Sequence, residues 1–244
     1  MMKLFMLYVN RTDYSKTLFI TFVYIIKTSD TLMLTKISNI QCQLLPEKAL
    51  FFPENRMLVI SDLHIGKIGF FRKNGIPLPA TSVLITIEKL QKVVEAYSPD
   101  TVVFLGDLFH TFDDSLWSFF SEVISKILHR TGIILVSGNH DVFPNEKYEV
   151  IGIKVCDVFI WNNLCFSHEP QEDEGALFYN IAGHIHPAVR ISSRGKQNLR
   201  LPCFCIGKSR SLLPSFGHFT GSHTITPHKD DNIFVIGEGA IFSV

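Results

Sequence analysis

Several kinds of feature are scarce in this chain, and each scarcity excludes something. Net charge is absent, with 23 basic and 23 acidic side chains in 244 residues, which removes any overall attraction to polyanions. Long apolar runs are absent too. The strongest, LFITFVYII at residues 18–26, is flanked by Lys16 and Lys27 and falls far short of the roughly 20 residues that cross a bilayer. No small-residue cleavage site follows it, so neither a signal peptide nor a membrane partner is expected, and a cytoplasmic location is. Cysteines are few and odd in number: Cys42, Cys156, Cys165, Cys203 and Cys205. Their irregular spacing excludes a disulfide framework and reads as free thiols in a reducing compartment. Cys203 and Cys205 would need a second pair to build a zinc site. No internal repeat, low-complexity linker, aromatic-stacking motif or groove-reading motif is present.

One absence is local. Between Glu174 and Asp230 there is no acidic residue, while Arg190, Arg194, Lys196, Arg200, Lys208, Arg210 and Lys229 give that stretch a charge of +7. It either forms a basic surface able to track a nucleic-acid backbone or disperses its charge over several faces.

What is present is a regular alternation. MLVIS (57–61), TVVFL (101–105) and GIILV (132–136) are apolar runs of strand length. Between the first two, residues 81–97 place Val83, Ile87, Leu90 and Val94 at helical spacing, with Thr81 or Ser82 to cap and Pro99 to close. Between the last two, Asp113 or Asp114 can cap a helix over DSLWSFFSEVISKILHR, with Gly132 just beyond it. The order β-α-β-α-β with apolar strands predicts a parallel sheet covered on both faces. The second half is richer in short strands: GIKVCD, VFIWNN, LCFSH and the segments near 188–206 and 232–243. The expected architecture is two packed sheets with helices outside, an α/β first half on an α+β whole. Met33 opens a second plausible start, so residues 1–32 read as an N-terminal extension and 33–244 as one domain.

The three apolar runs end alike: Asp62-Leu63-His64, Gly106-Asp107, and Gly138-Asn139-His140-Asp141. Ligands collect outside the carboxyl ends of strands in open α/β sheets, so Asp62, His64, Asp107, Asn139 and His140 should meet. Ser167-His168-Glu169 follows a further apolar run, and Gly183-His184-Ile185-His186 comes after that. Singly, each piece is also a polar turn or a structural histidine. Carboxylates, imidazoles and an amide without thiolate suit Mn²⁺, Fe or Zn²⁺. Such ions can activate water without a covalent nucleophile. His140, beside Asn139, would face substrate and stabilise or protonate the leaving oxygen, with Asp141 orienting its ring.

The order DxH, GDxx, GNHD, H, GHxH resembles the signature of the calcineurin-like metallophosphoesterase superfamily. That resemblance implies the metallo-dependent phosphatase fold, a four-layer double β-sandwich flanked by helices. It implies one metal on Asp62, His64, Asp107 and His186, and a second on Asp107, Asn139, His168 and His184, with Asp107 bridging and a metal-bridging hydroxide attacking phosphorus in line. The flanking stretches SDLHIGKIGFFRKNGIPLP, GDLFH, SHEP, GHIHPAV and LLPSFGHFTGS are similar to the bacterial ligase-associated DNA-damage-response phosphoesterases over about residues 33–244. Here Ser222 replaces the family's usual glycine. This closer resemblance implies a DNA phosphodiesterase or endonuclease in repair, with manganese as the expected ion and a DNA ligase, a DEXH helicase and an exonuclease-like protein as partners. Lys67, Arg72 and His110 are candidate substrate contacts, with solvated loop charges or a supporting histidine as the plainer reading. A small-molecule phosphodiesterase or pyrophosphatase, acting on a nucleotide or a lipid-sugar diphosphate, stays open, as does a non-catalytic scaffold of the same fold.

Overall fold

The computed structural model describes residues 32–67, 82–171, 177–192, 198–218 and 220–244. It also describes four short strands nearer the N-terminus: β1 (Phe5–Met6), β2 (Val9–Asn10), β3 (Leu18–Ile20) and β4 (Tyr24–Ile25). Arg72, Thr81, Arg194, Lys196 and Phe219 lie outside the described residues.

The first sheet has seven strands. Strands β5 (Met33–Ile37), β6 (Ile40–Leu45) and β7 (Ala49–Phe52) lead antiparallel into β8 (Met57–Ser61). From there β9 (Thr101–Leu105), β10 (Gly132–Val136) and β11 (Ile153–Cys156) continue in parallel. Ser38 and Asn39 make the β5–β6 turn with φ of 48° and 69°, the two left-handed positions that match a tight hairpin to strand twist. Helix α1 (Ser82–Tyr97) connects β8 to β9 and α2 (Asp114–Leu128) connects β9 to β10. A short α3 (Asn145–Val150) precedes β11.

Alternation of side chains along the strands divides the core. Leu58, Ile60, Val102, Phe104, Ile133 and Leu135 meet Ile87, Leu90, Phe120 and Ile124 of the helices. Val59, Val103, Leu105 and Val136 point the other way, into Leu164, Phe166, Ile181 and Phe204 of the second sheet. Both faces are therefore buried, which is why these strands read as unbroken apolar runs. Each fully buried large side chain stabilises the assembly by roughly 1.5–3 kcal/mol.

The second sheet runs β12 (Phe159–Trp161), β13 (Leu164–Ser167), β14 (Tyr179–Ala182), β17 (Arg210–Leu212), β16 (Asn198–Ile206), β15 (Pro187–Ser192). Strand β19 (Asn232–Gly237) pairs with β16 and carries β20 (Ala240–Ser243), while β18 (His223–Thr224) and β3 pair with β15. The result is two packed sheets in layers, and the described helices lie on the outer face of the first sheet. None of them is long and apolar enough to cross a membrane. All five cysteines are free thiols.

Two details differ from the sequence reading. Ile153–Cys156 is not part of the strand-rich second half; it is the fourth parallel strand of the first sheet, paired residue for residue with β10. Helix α2 starts as expected, with the Asp113 carboxylate accepting from the amides of Ser115 at 3.0 Å and Leu116 at 3.1 Å. It ends at Leu128 with His129 as cap, so Gly132 does not close the helix. Gly132 opens β10 instead, its amide donating to the Asp100 carbonyl at 2.9 Å.

Candidate dinuclear metal centre

The parallel strands β8, β9 and β10 end side by side, and β13 and β14 bring the second sheet's strand ends to the same place. Asp62, His64 and His186 form one group and Asp107, His168 and His184 another; within each, the donor atoms lie within 4.8 Å of one another. Asp107 touches both groups, its Oδ2 at 3.5 Å from His64 Nε2 and its Oδ1 at 3.4 Å from His168 Nε2. Asp62 Oδ1 lies 3.2 Å from His186 Nε2. Asn139, from the third strand end, sets its Oδ1 at 3.1 Å from His168 Nε2.

The backbone at these strand ends is unusual. Asp62, His64, Asp107, His184 and His186 all have φ between 49° and 63°. That left-handed region costs an L-residue energy and collects at functional sites. The turns are held by tertiary bonds. His64 N donates to the Asp107 carbonyl at 2.8 Å, and His184 N donates to Asp62 Oδ2 at 3.0 Å. Gly138 permits a close approach, since a Cβ there would stand 2.5 Å from Asp107 Oδ1.

The protonation pattern fits cations. His168 Nδ1 donates to the Leu105 carbonyl at 2.9 Å, which turns Nε2 towards Asp107 and Asn139. Burial above all, then the nearby Lys67 and histidines, lowers His64 to about 2, leaving its ring neutral as a ligand must be. Candidate ligand atoms crowd together: His64 Nε2 lies 3.2 Å from His186 Nε2, with the Asp62 and Asp107 carboxylates beside them. A divalent cation in each group resolves that crowding, and nitrogen and oxygen donors without thiolate fit Mn²⁺, Fe or Zn²⁺. Neither group includes a cysteine.

Residues 56–233 match the family model for calcineurin-like phosphoesterases. The chain belongs to the calcineurin-like phosphoesterase family. It is a metal-dependent phosphoester hydrolase. Among solved structures this phosphoesterase is similar to the Pseudomonas putida nuclease MPE, at TM-score 0.72 and 26% identity over 88% of this chain and 100% of that one. It also matches Yfce, a phosphoesterase from E. coli, at TM-score 0.43 and 13% identity over 77% of this chain and 97% of that one. A comparison with curated protein sequences gives no match.

Around the metal groups the phosphoesterase carries further polar side chains. His140 is exposed at the rim, its ring 4.7 Å from that of His110 and 5.8 Å from that of His64. Its amide donates to Asp107 Oδ1 at 2.9 Å. Asp141 requires a correction. Its carboxylate was expected to orient the His140 ring, but it accepts from four backbone amides: Leu108 at 2.7 Å, Gly138 at 2.8 Å, Asp107 at 3.1 Å and Phe109 at 3.2 Å. It ties the second strand end to the third and is a positioning residue for Asp107. Lys67 is half-buried, donating to the Thr220 carbonyl at 3.3 Å. Burial lowers its pKa while Asp107 and Asp62 raise it, so it sits within the field of both carboxylates, unlike a solvated loop charge.

Sequence reasoning missed the residues that hold Asp62. Its carbonyl accepts from Gly217 N and Ser215 Oγ, both at 3.1 Å. Phe216 N donates to the Ser61 carbonyl at 2.9 Å. Lys89, on α1, donates to the Phe216 carbonyl at 2.6 Å and lies 3.6 Å from the centre of its ring. The LLPSFGHFTGS stretch therefore braces the first strand end from behind. Its only signal in the sequence was the family resemblance.

Proposed function

We propose that the chain, with residues 33–244 as its catalytic unit and 1–32 as an extension, hydrolyses phosphodiester bonds in DNA as part of ligase-associated repair. The observation that carries the diesterase reading is Asp107, whose two carboxylate oxygens face one histidine group each. In this reading Asp62, His64, Asp107 and His186 hold one ion and Asp107, Asn139, His168 and His184 the other, manganese being the expected metal. Two divalent ions held there would polarise a phosphate and lower the pKa of a water towards neutrality. The protein's own groups do the rest. Asp62 and Asp107 supply the negative charge that retains the cations. His140, exposed beside the centre, reaches the leaving oxygen and stabilises or protonates it as the ester bond breaks, a contribution of roughly 10²–10⁴-fold. Lys67 adds a positive charge on the substrate side, with His110 packed against His140.

The likeness to a nuclease over nearly the whole chain supports DNA as substrate, and the acid-free stretch 175–229 supports a phosphate-rich ligand. A cytoplasmic location and a DNA ligase, a helicase and an exonuclease-like protein as partners belong to the same reading. The cleft of about 600 Å³ bordered by Glu169, His184, Arg210 and His228 favours one alternative, a nucleotide or lipid-sugar diphosphate as substrate. Turnover with Mn²⁺ of bis(p-nitrophenyl) phosphate, its monoester and a single-stranded oligonucleotide separates these. The expected result is preference for the diester and cleavage of the oligonucleotide, both abolished by chelator. Preference for the monoester would overturn the diesterase assignment, and an uncut oligonucleotide would turn it towards small diphosphates.

A further inference from the structure

A second, smaller hollow of about 210 Å³ opens beside His186, walled by Lys48, Pro202, Ser215, His218, Thr220 and Ser222. It holds about seven waters at roughly 30 Å³ each, room for one phosphate and its sugar but not for a base-paired duplex. Lys48 comes from the β6–β7 turn with φ of 71°. Its ammonium has no ion pair or hydrogen bond among the described residues, and burial lowers its pKa. Lys89 and the lining residue His218 are both pushed down by burial, and Lys48 adds to each shift. Lys48 thus brings an unpaired ammonium to a small cavity whose walls include no acid.

The hollow continues into a second cationic feature. On the β15–β16 ladder Ala188 pairs with Pro202 and Arg190 with Arg200. Alternation along a strand puts Phe204, Pro202 and Arg200 on one face. That face changes from sandwich core at Phe204, to the hollow at Pro202, to solvent at Arg200. Two like charges directly opposite destabilise a sheet, and neither arginine has an ion pair among the described residues. The step from Pro202 to Arg200 is about 7 Å along the strand.

We infer that the hollow beside His186 and the Arg190–Arg200 pair form a track for successive phosphates of a polynucleotide strand running away from the metal centre. Lys48 anchors the first flanking phosphate, with His218 and Ser222 as hydrogen-bonding neighbours, and the arginine pair takes the next. The track rests on the DNA phosphodiesterase reading and adds to it the direction in which the strand leaves.

The test compares the metal-loaded full chain with Lys48→Gln and with the exposed double variant R190Q/R200Q. The ratio of KM on a single-stranded oligonucleotide to KM on bis(p-nitrophenyl) phosphate, which has no flanking phosphate, should rise about tenfold for Lys48→Gln. The slope of log KM against log salt should flatten by roughly 0.7 for each phosphate that a variant no longer neutralises, so further for the double variant. Lys48→Arg should recover much of the affinity. An unchanged ratio and slope in both variants, with oligonucleotide cleavage intact in the parent chain, overturns the track alone. A parent chain that cleaves the small diester and not the oligonucleotide overturns the DNA reading and the track with it.

Discussion

Each half of the metal centre offers one aspartate and two histidines, yet the halves are secured differently. In the Asp107 group, His168 is fixed through its outer nitrogen by the Leu105 carbonyl, and Asn139 adds an amide oxygen. In the Asp62 group, the outer nitrogen of His64 is buried with no hydrogen-bond partner among the described residues. Its backbone is the better braced part, held by Asp107 and by the Ser215–Gly217 loop behind Asp62. The Asp107 group thus has a ligand ring anchored through its outer nitrogen, whereas His64 of the Asp62 group relies on its braced backbone. Ring anchoring sets tautomer and basicity, so the Asp107 group is the one prepared to hold an ion tightly.

Removing the shared element is expected to have the largest effect. Asp107→Asn takes a charge from both groups at once and should lower kcat on the order of 10³-fold, several kcal/mol of transition-state stabilisation. His140→Ala leaves both groups intact and should cost about 10²-fold with full metal content. If Asp107→Asn kept its activity, the two halves would not act together. Next in size is the difference between the halves. Titration with a chelator, followed by metal analysis, should release the ions in two steps separated by about 10–100-fold in affinity. His64→Ala should remove the weak step and His168→Ala the tight one; release in a single step would make the two halves equivalent.

The smallest effect concerns the brace behind Asp62. Burial, then Lys48, lowers Lys89 from 10.5 to about 7. Below pH 7 the residue is charged in folded and unfolded chains alike, and its burial destabilises the fold in full. Between pH 7 and about 10.5 only the unfolded chain keeps the proton, so stability rises with pH. The melting temperature should climb from pH 7 to 9, and Lys89→Met should flatten that climb. An equal slope in the variant would mean that Lys89 keeps an ordinary pKa.

How much of this was legible depended on range. Met57–Ser61, Thr101–Leu105 and Gly132–Val136 were readable to the residue, because burial on both faces leaves an unbroken apolar run. Ile153–Cys156 was readable as a strand but not as part of the first sheet; it is an edge strand with one fully buried residue, and the six-residue α3 before it is too short to show a period. Strands β5 and β6 went unread because their polar residues, such as Gln41 and Gln43, blur the alternation, and β7 is a run of only four residues. The ligand types and their meeting point followed from strand ends. Asp141 misled because adjacency suggested His140 as its partner, while its actual partners lie 32 to 34 residues upstream and 3 residues before it. Lys48 and Lys89 gave no local sign, since their surroundings exist only after folding.

The left-handed backbone of five ligand residues has a further consequence. Each such residue costs roughly 1–2 kcal/mol relative to an ordinary conformation, and bonds that hold these turns join strand ends 34 to 122 residues apart. Ions that bind only the assembled centre offset that cost by mass action, about 2.7 kcal/mol for a site held at 100 times its Kd. Ions bound there would act as a clasp between the two sheets. Metal supply would then bear on how much of the chain stays folded as well as on how fast it turns over.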